Sequence, residues 1–185
     1  MSEFVPVVPQ AVEHREGVPA YTKAEFAEKK SRYCLLIPVI NEGERILAEL
    51  DRAAATGVTR LCDVALCDGG STDGSMDQAG LARRGVNTLL VKTGPGKQGA
   101  QLRMGIAWAL ERGYEGVLTI DGNNKDSIES VPLFLAKLKE GYDLIQGSRF
   151  IKGGRAVNTP LGRYAAVRLI HAPVISLAAG QWFTD

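Results

Sequence analysis

Apolar residues along this chain fall in short runs, separated by stretches whose apolar positions recur with a helical period. The clearest run is Val117 to Ile120, which leads straight into Asp121, Gly122, Asn123 and Asn124. Its length and composition predict a fully buried strand, and the Gly and Asn residues predict the turn that ends it. Tyr33–Ile37, Leu61–Cys67, a run from Val86 or Asn87 to Val91, and Tyr142–Gln146 predict four more strands. Between them the period changes. Ile46, Leu47 and Leu50 share a helix face that starts at an Asn41/Glu44 capping box and stops at Gly57. A short helix separates the second and third strands. A helix from about Gln98 to Arg112 is closed by Gly113, and Val131, Phe134, Leu135 and Leu138 line another, capped by Asp126 with Glu129 and ended by Gly141. Strands alternating with helices predict an α/β fold with a mostly parallel central sheet, right-handed crossovers and helices on both faces.

The two ends of the chain depart from this alternation. Residues 1–31 contain Pro6, Pro9 and Pro19, and only Tyr21–Lys30 reads as helical, so the segment predicts an extended arm packed outside the sheet. Residues 32–185 form the main domain. After Phe150, Lys152 to Arg155 reads as a loop, and Thr159-Pro160 opens a further helix. That last region is basic, with Arg155, Arg163 and Arg168. The chain stops at Asp185 without a capping signal, as though cut short.

Composition narrows the field. The chain has 185 residues, 45% of them hydrophobic, enough for a substantial core. A formal net charge of +1 argues against nucleic acid held by bulk electrostatics. Cys34, Cys62 and Cys67 lie in apolar runs without CxxC spacing, which predicts buried free thiols in a reducing, cytoplasmic setting. His14 and His171 are too far apart in sequence to suggest a histidine metal site. No signal peptide is evident, and Ala165 to Phe183 is too interrupted for a transmembrane helix, although it suits contact with a membrane surface.

Candidate chemistry gathers at strand ends. Asn41 and Glu42 follow the first strand, Asp68 the second, Lys97 lies beyond the third, Asp121 follows the fourth and Arg149 the fifth. Open α/β sheets bind ligands outside the carboxyl ends of their strands. A carboxylate there can accept hydrogen bonds from a base or ribose, and lysine or arginine can balance a diphosphate. Carboxylates beside a diphosphate suit magnesium or manganese. Asp73 and Asp126 are equally readable as turn and cap residues, and Trp108 and Phe134 as core.

Taken in order, P-V-I-N-E, D-G-G-S-T-D-G-S, G-K-Q-G-A-Q-L-R-M-G, D-G-N and G-S-R-F followed by G-G resemble the family 2 inverting glycosyltransferases of the GT-A fold. The branch most similar is that of dolichyl-phosphate mannose synthase, and the resemblance covers roughly Tyr33 to Asp185. It implies a Rossmann-like nucleotide-diphospho-sugar transferase domain that moves a sugar, with inversion, to a lipid phosphate or a hydroxyl. It implies that Pro38, Asn41 and Glu42 frame the base and ribose, with Asp68 on the base. Asp121 would stand by the diphosphate and its metal, with Asn123 at the second D-x-D position. Lys97, Arg103 and Arg149 would line the cleft, and Asp185 would open the acceptor motif. Asn123, Lys125 and Gly69 depart from the family pattern. Asn123 and Lys125 weaken the negative charge of the metal site, so the divalent cation is expected only together with a nucleotide diphosphate, while Gly69 replaces a carboxylate in the D-G-G-S turn. The implied partners are a nucleotide-sugar donor and a polyprenyl phosphate, met at the cytoplasmic face of a membrane.

Other readings compete. Gly94-Pro95-Gly96-Lys97-Gln98-Gly99 matches G-x-G-x-x-G with Asp121 downstream, the pattern of a dinucleotide-binding oxidoreductase domain. It follows the third strand rather than the first, and it leaves the Asp68 turn unexplained. A nucleotide-sugar pyrophosphorylase would need a Gly-rich, Arg-containing loop after strand one, where Pro38 to Glu42 stands. A non-catalytic nucleotide-sugar-binding module accommodates Asn123 and the abrupt end.

Overall fold

The computed structural model describes residues 4–151, 153–154 and 160–184. They fall into two units, Met1–Gly141 and Tyr142–Asp185. The first is built on a six-stranded sheet: β1 (Gln10–Val12), β2 (Tyr21–Glu25), β3 (Tyr33–Val39), β4 (Asp63–Asp68), β5 (Thr88–Lys92) and β6 (Gly116–Thr119), in the order β1-β2-β5-β4-β3-β6. β5, β4, β3 and β6 are parallel, while β1 and β2 add an antiparallel edge. The chain steps outward from β3 through β4 to β5, then crosses back to place β6 on the other side of β3. The strand order therefore reverses at β3.

Side-chain alternation along the strands creates two cores. Leu35, Ile37 and Val39 of β3, with Val64 and Leu66 of β4, point to one face. There they meet Ile46, Leu50 and Ala53 of α1 (Glu44–Ala55), Val58 of α2 (Val58–Leu61), Leu81 of α3 (Gln78–Arg83), and Val131 and Leu135 of α5 (Val131–Lys139). Cys34 and Leu36, with Ala65 and Cys67, point to the opposite face and pack on Met104, Trp108 and Ala109 of α4 (Gln98–Glu111). Each fully buried Leu or Ile contributes about 1.5–3 kcal/mol. Helices thus cover both faces, as expected of this α/β fold. The three cysteines are free and buried, and burial pushes the thiols of Cys62 and Cys67 up to about 12, so they stay protonated.

Several expected elements differ. Tyr21–Lys30 is not a helix. Tyr21–Glu25 is β2, paired with β5, so the leading segment enters the sheet instead of lying outside it. Its buried Tyr21 and Ala24 are three apart, which imitates a helical period, but ladder bonds to a distant strand decide the outcome. Leu61 ends α2 rather than starting β4. β6 is not fully buried: as the last strand of the sheet it has Leu118 buried but Thr119 exposed. Tyr142–Gln146 forms no strand, and Tyr142 and Leu144 are exposed. A five-residue run containing Asp143 needs a ladder partner to hold it extended.

The second unit carries a helical run: α6 (Leu161–Ala166), a π-helical segment Val167–His171 and α7 (Ala172–Ala179). Arg168 lies over the rings of Phe150 and Tyr164, which meet edge to face. Ser176 Oγ donates to Ala172 O and accepts from Phe183 N. The expected Lys152 to Arg155 loop falls partly, and Thr159 wholly, outside the described residues.

Gly105 fixes how closely α4 approaches the sheet. A Cβ there would collide with Cys67 Sγ and lie 3.2 Å from Leu36 Cδ1. Gly105→Ala should destabilise the fold by roughly 1–3 kcal/mol through overpacking, despite alanine's better helix propensity. Urea denaturation measures this, and a stabilised variant would contradict the close approach.

Candidate functional site

The carboxyl ends of β4, β3 and β6 lie side by side. Val39 is in register with Asp68, and Leu36 with Thr119. Gly122 N donates to Pro38 O (3.4 Å), which carries the chain beyond β6 past the end of β3. Adjacent strands are about 4.8 Å apart, so the Asp68 and Asp121 backbones are roughly 10 Å apart. Of the predicted residues, Pro38, Asn41, Glu42, Asp68, Asp121 and Asn123 stand at this one edge.

The loops after β3 and β4 are laced together. Asp68 is buried, and both its oxygens accept from Ser71 N (3.0 and 2.9 Å), while Ser71 Oγ donates to Oδ1 (2.6 Å). Ser71 Oγ also accepts from Asn41 N (2.9 Å), and Asn41 Oδ1 accepts from Thr72 N (2.8 Å). Asn41 is not the cap of α1. It takes a left-handed backbone (φ 51°), and Gly43 precedes the helix instead. The start of α1 is satisfied from the neighbouring loop, where Asp73 Oδ2 accepts from Gly43 N (2.8 Å). Hydrogen bonds from the Ser75 hydroxyl and amide hold the Asp73 carboxyl below its ordinary value. Glu42 Oε2 is ion-paired with Arg45 Nη2 at 2.8 Å, and Pro38 is buried within β3.

Gln101 is a structural member of the site that the strand-end reasoning missed. Its buried Nε2 donates to Val39 O (2.7 Å) and Cys67 O (2.8 Å), tying the ends of β3 and β4 together. The signal was a glutamine among Ala100, Met104, Gly105 and Trp108 on the buried face of α4.

The loop after β6 is held from two sides. Asp121 is exposed, and its Oδ1 accepts from Gln98 Nε2 (2.6 Å) at the first turn of α4. Gly122 is buried so closely that a Cβ would lie 3.2 Å from both Pro38 O and Ile37 Cγ2. Asn123 Oδ1 accepts from Lys125 N (3.1 Å). Asn124 is left-handed (φ 58°), its N donates to Glu49 Oε2 (3.0 Å), and its Oδ1 accepts from Arg52 Nη1 (2.6 Å). Arg52 also donates to Glu129 through Nε (2.9 Å) and Nη2 (2.6 Å). This pairing pulls the Glu129 carboxyl down to about 2. Glu129 therefore braces Arg52 and does not form a capping box with Asp126. Ser127 precedes the short 3₁₀ turn Ile128–Ser130.

Other predicted residues fall elsewhere. Lys97 is the exposed residue just before α4, and its side chain caps nothing. Arg103 is tied to the leading segment through its Nε, which donates to Gly17 O (2.7 Å). Arg149 is exposed in the second unit, and Asp185 lies outside the described residues. The Gly94–Gly99 loop is anchored to the leading segment, with Thr93 N and Gly94 N both donating to Ala20 O (2.9 Å). It follows β5, which is separated from β6 by β4 and β3, so Asp121 is not on the neighbouring strand that a dinucleotide-binding loop requires.

Asp121 and Asn123 supply hard oxygen donors, and among the described residues no group of three or more His, Cys, Asp or Glu could hold a metal by itself. That donor set fits magnesium or manganese only when phosphate oxygens and water complete the shell. At the opposite end of the strands a cleft of about 330 Å³ is lined by Lys30, Arg60 and Asp63 among others. Its carboxylate is already committed: Asp63 accepts from Lys30 N, Ser31 N, Tyr114 Oη and Asn87 Nδ2. The carboxyl end of the sheet is the better equipped for a polar ligand.

The fold and this edge are consistent with an α/β domain of the nucleotide-sugar-transferase type. The chain is 33% identical over 135 residues to undecaprenyl-phosphate mannosyltransferase of Micrococcus luteus, a match covering 71% of the chain and 54% of that protein. It is 29% identical over 138 residues to polyprenol monophosphomannose synthase of Mycolicibacterium smegmatis, covering 71% and 50%. It is 32% identical over 152 residues to glycosyltransferase AglJ of Haloferax volcanii, covering 82% and 46%. The resemblance to family 2 glycosyltransferases of the GT-A fold, on the dolichyl-phosphate mannose synthase branch, therefore holds across most of the chain. The chain spans about half the length of these curated relatives. No family model matches it.

Glu49 gives the site a measurable pH signature. It is fully buried, and burial pushes its carboxyl from 4.5 up to about 7, partly offset by the Asn124 amide and Arg52. The fold binds this proton more tightly than the unfolded chain does. Stability from Glu49 is therefore full below 4.5 and lost as pH rises through about 7. The loss is on the order of 3 kcal/mol. Glu49→Gln should remove this component, gaining stability over wild type at alkaline pH but not in acid. Parallel denaturation curves at all pH values would contradict it.

Proposed function

We propose that the chain is the donor-binding part of a glycosyltransferase that moves a sugar from a nucleotide diphosphate to a polyprenyl phosphate, with inversion. One observation carries this reading. The laced Asn41–Asp68–Ser71 loops and the Asp121–Asn123 turn share one sheet edge, in a chain whose relatives include an undecaprenyl-phosphate mannosyltransferase and a polyprenol monophosphomannose synthase. The Asn41–Asp68 side takes the base and ribose, framed by Pro38 and Glu42, and the Asp121 side takes the diphosphate. Asp68 is occupied by Ser71, so its contact with the base goes through the turn it organises or through its remaining lone pairs. Lys97, just before α4, offsets phosphate charge together with the positive end of the helix dipole. A divalent cation held by Asp121 and Asn123 would supply further positive charge to the leaving diphosphate. A lipid-phosphate acceptor is already anionic and needs no general base. Arg149 and Asp185 belong to the acceptor side by resemblance.

The stretch from Leu144 to Thr184 contains no acidic residue and carries Arg149, Lys152, Arg155, Arg163 and Arg168. Leu161, Leu169, Leu177 and Trp182 are exposed there. Among the described residues no helix is long and apolar enough to cross a membrane. Basic groups beside exposed apolar ones suit the cytoplasmic surface of an anionic bilayer, where a polyprenyl phosphate is met.

Manganese titration with and without UDP or GDP tests the donor site. Negligible metal binding to the free chain is expected, with appreciable binding once a nucleotide diphosphate is present. Asn123→Asp should strengthen the joint complex and Asp121→Asn should abolish it. Tight manganese binding without nucleotide, or failure to bind either nucleotide, would contradict the reading. Co-sedimentation with anionic vesicles tests the membrane contact: Arg163→Glu with Arg168→Glu should release the chain, and unchanged retention would refute it.

A further inference from the structure

Glu49 is an anomaly on α1. It lies on the buried face among Ile46, Leu50 and Ala53, where a leucine would pack at lower cost. Its Oε2 accepts from Asn124 N, but its Oε1 is buried without a hydrogen-bond partner among the described residues. Such a group costs about 1–3 kcal/mol. A residue that lowers stability is expected where it does something besides packing.

What Glu49 touches is one residue beyond Asn123. Asn124 holds a left-handed backbone, uncommon for a side-chain-bearing residue and most tolerated by asparagine. Two residues of α1, one turn apart, fix it from both ends. Glu49 takes its amide, and Arg52 takes its side-chain oxygen. Arg52 reaches Asp126 O as well (3.5 Å) and is itself braced by Glu129. On the other flank Gly122 is fixed by its packing on Pro38 and Ile46. Asp121 and Asn123 thus sit on a turn pinned between them at Gly122 and after them at Asn124.

We propose that Glu49 and Arg52 are positioning residues for the donor site: by clamping Asn124 they preset Asp121 and Asn123 for the diphosphate and its cation. This rests on the donor-site reading above. With one carboxylate where two are usual, the turn has less charge to draw a cation in. Holding its two oxygen donors in place reduces the ordering cost of binding. Glu49 acts as a hydrogen-bond acceptor, so its amide analogue replaces it. Arg52 spans Asn124 and Glu129 with different nitrogens, a geometry that lysine cannot reproduce.

The test uses the full chain as wild type, Glu49→Gln, Glu49→Leu, Arg52→Met and Arg52→Lys. Two readouts are taken: exchange of the Asn124 amide in the free protein, and manganese affinity at saturating UDP or GDP, followed by the manganese EPR signal. Glu49→Leu should keep the fold, speed Asn124 exchange, and weaken the joint manganese affinity about 10- to 100-fold, while Glu49→Gln stays within about threefold of wild type. Arg52→Met and Arg52→Lys should both weaken it. Should Glu49→Leu fail to fold, the partly exposed Arg52 pair decides alone. Wild-type manganese affinity in Glu49→Leu or Arg52→Met, or a Glu49→Gln as weak as Glu49→Leu, overturns the proposal. A wild-type chain that binds neither nucleotide overturns the donor-site reading itself, a result seen before any variant is compared.

Discussion

β3 is buried along all seven of its residues and flanked by parallel neighbours on both edges, so only its ends are open to a ligand. Where a buried parallel strand ends, its backbone groups need new partners. At the amino end of the sheet those partners are internal. Asp63, at the start of β4, collects four donors from the leading segment, Asn87 and Tyr114, and closes that end. At the carboxyl end the partners are loops. Gln101 holds the strand tips, Ser71 joins the first two loops, and Asn124 is clamped from α1. The carboxylate of Asp121 is left exposed there, with one hydrogen bond to Gln98.

That contrast explains why two buried carboxyl groups behave differently. Asp63 is satisfied by neighbours on several elements, so it serves the fold. Glu49 is satisfied on one oxygen only, and its surroundings favour the protonated form near neutrality. Saturated buried polar groups specify a structure, while partly satisfied ones cost stability. The second kind lies directly under the turn that carries Asp121, where Glu49 takes the Asn124 amide.

The sheet's parallel centre was legible because its strands are short apolar runs ended by polar turns, and Asp68 and Asp121 could be placed at strand ends from that alone. The leading segment was not, because Tyr21 and Ala24 are spaced like a helix and only pairing with β5 makes them a strand. Asn41 matched a capping box by local pattern, yet a contact with Thr72, far along the chain, takes its side chain. Glu49 and Arg52 were invisible for the same reason, since their roles are contacts across the fold, while Gln101 showed only as a glutamine on an apolar helix face. Arg103 shows the converse, a residue inside a recognisable motif whose side chain holds the leading segment.

The proposed donor site is the carboxyl edge of β4, β3 and β6, where a nucleotide diphosphate would bind. Backbone amide chemical shifts, followed during titration with UDP and with GDP in the presence of magnesium, test it most directly. The predicted result is perturbation concentrated at Ile40–Asn41, Gly69–Thr72 and Gly122–Asn124, with Lys30, Ser31 and Leu61–Asp63 unmoved. Perturbation centred on the cleft beside Asp63, with the Asp121 turn silent, would contradict it.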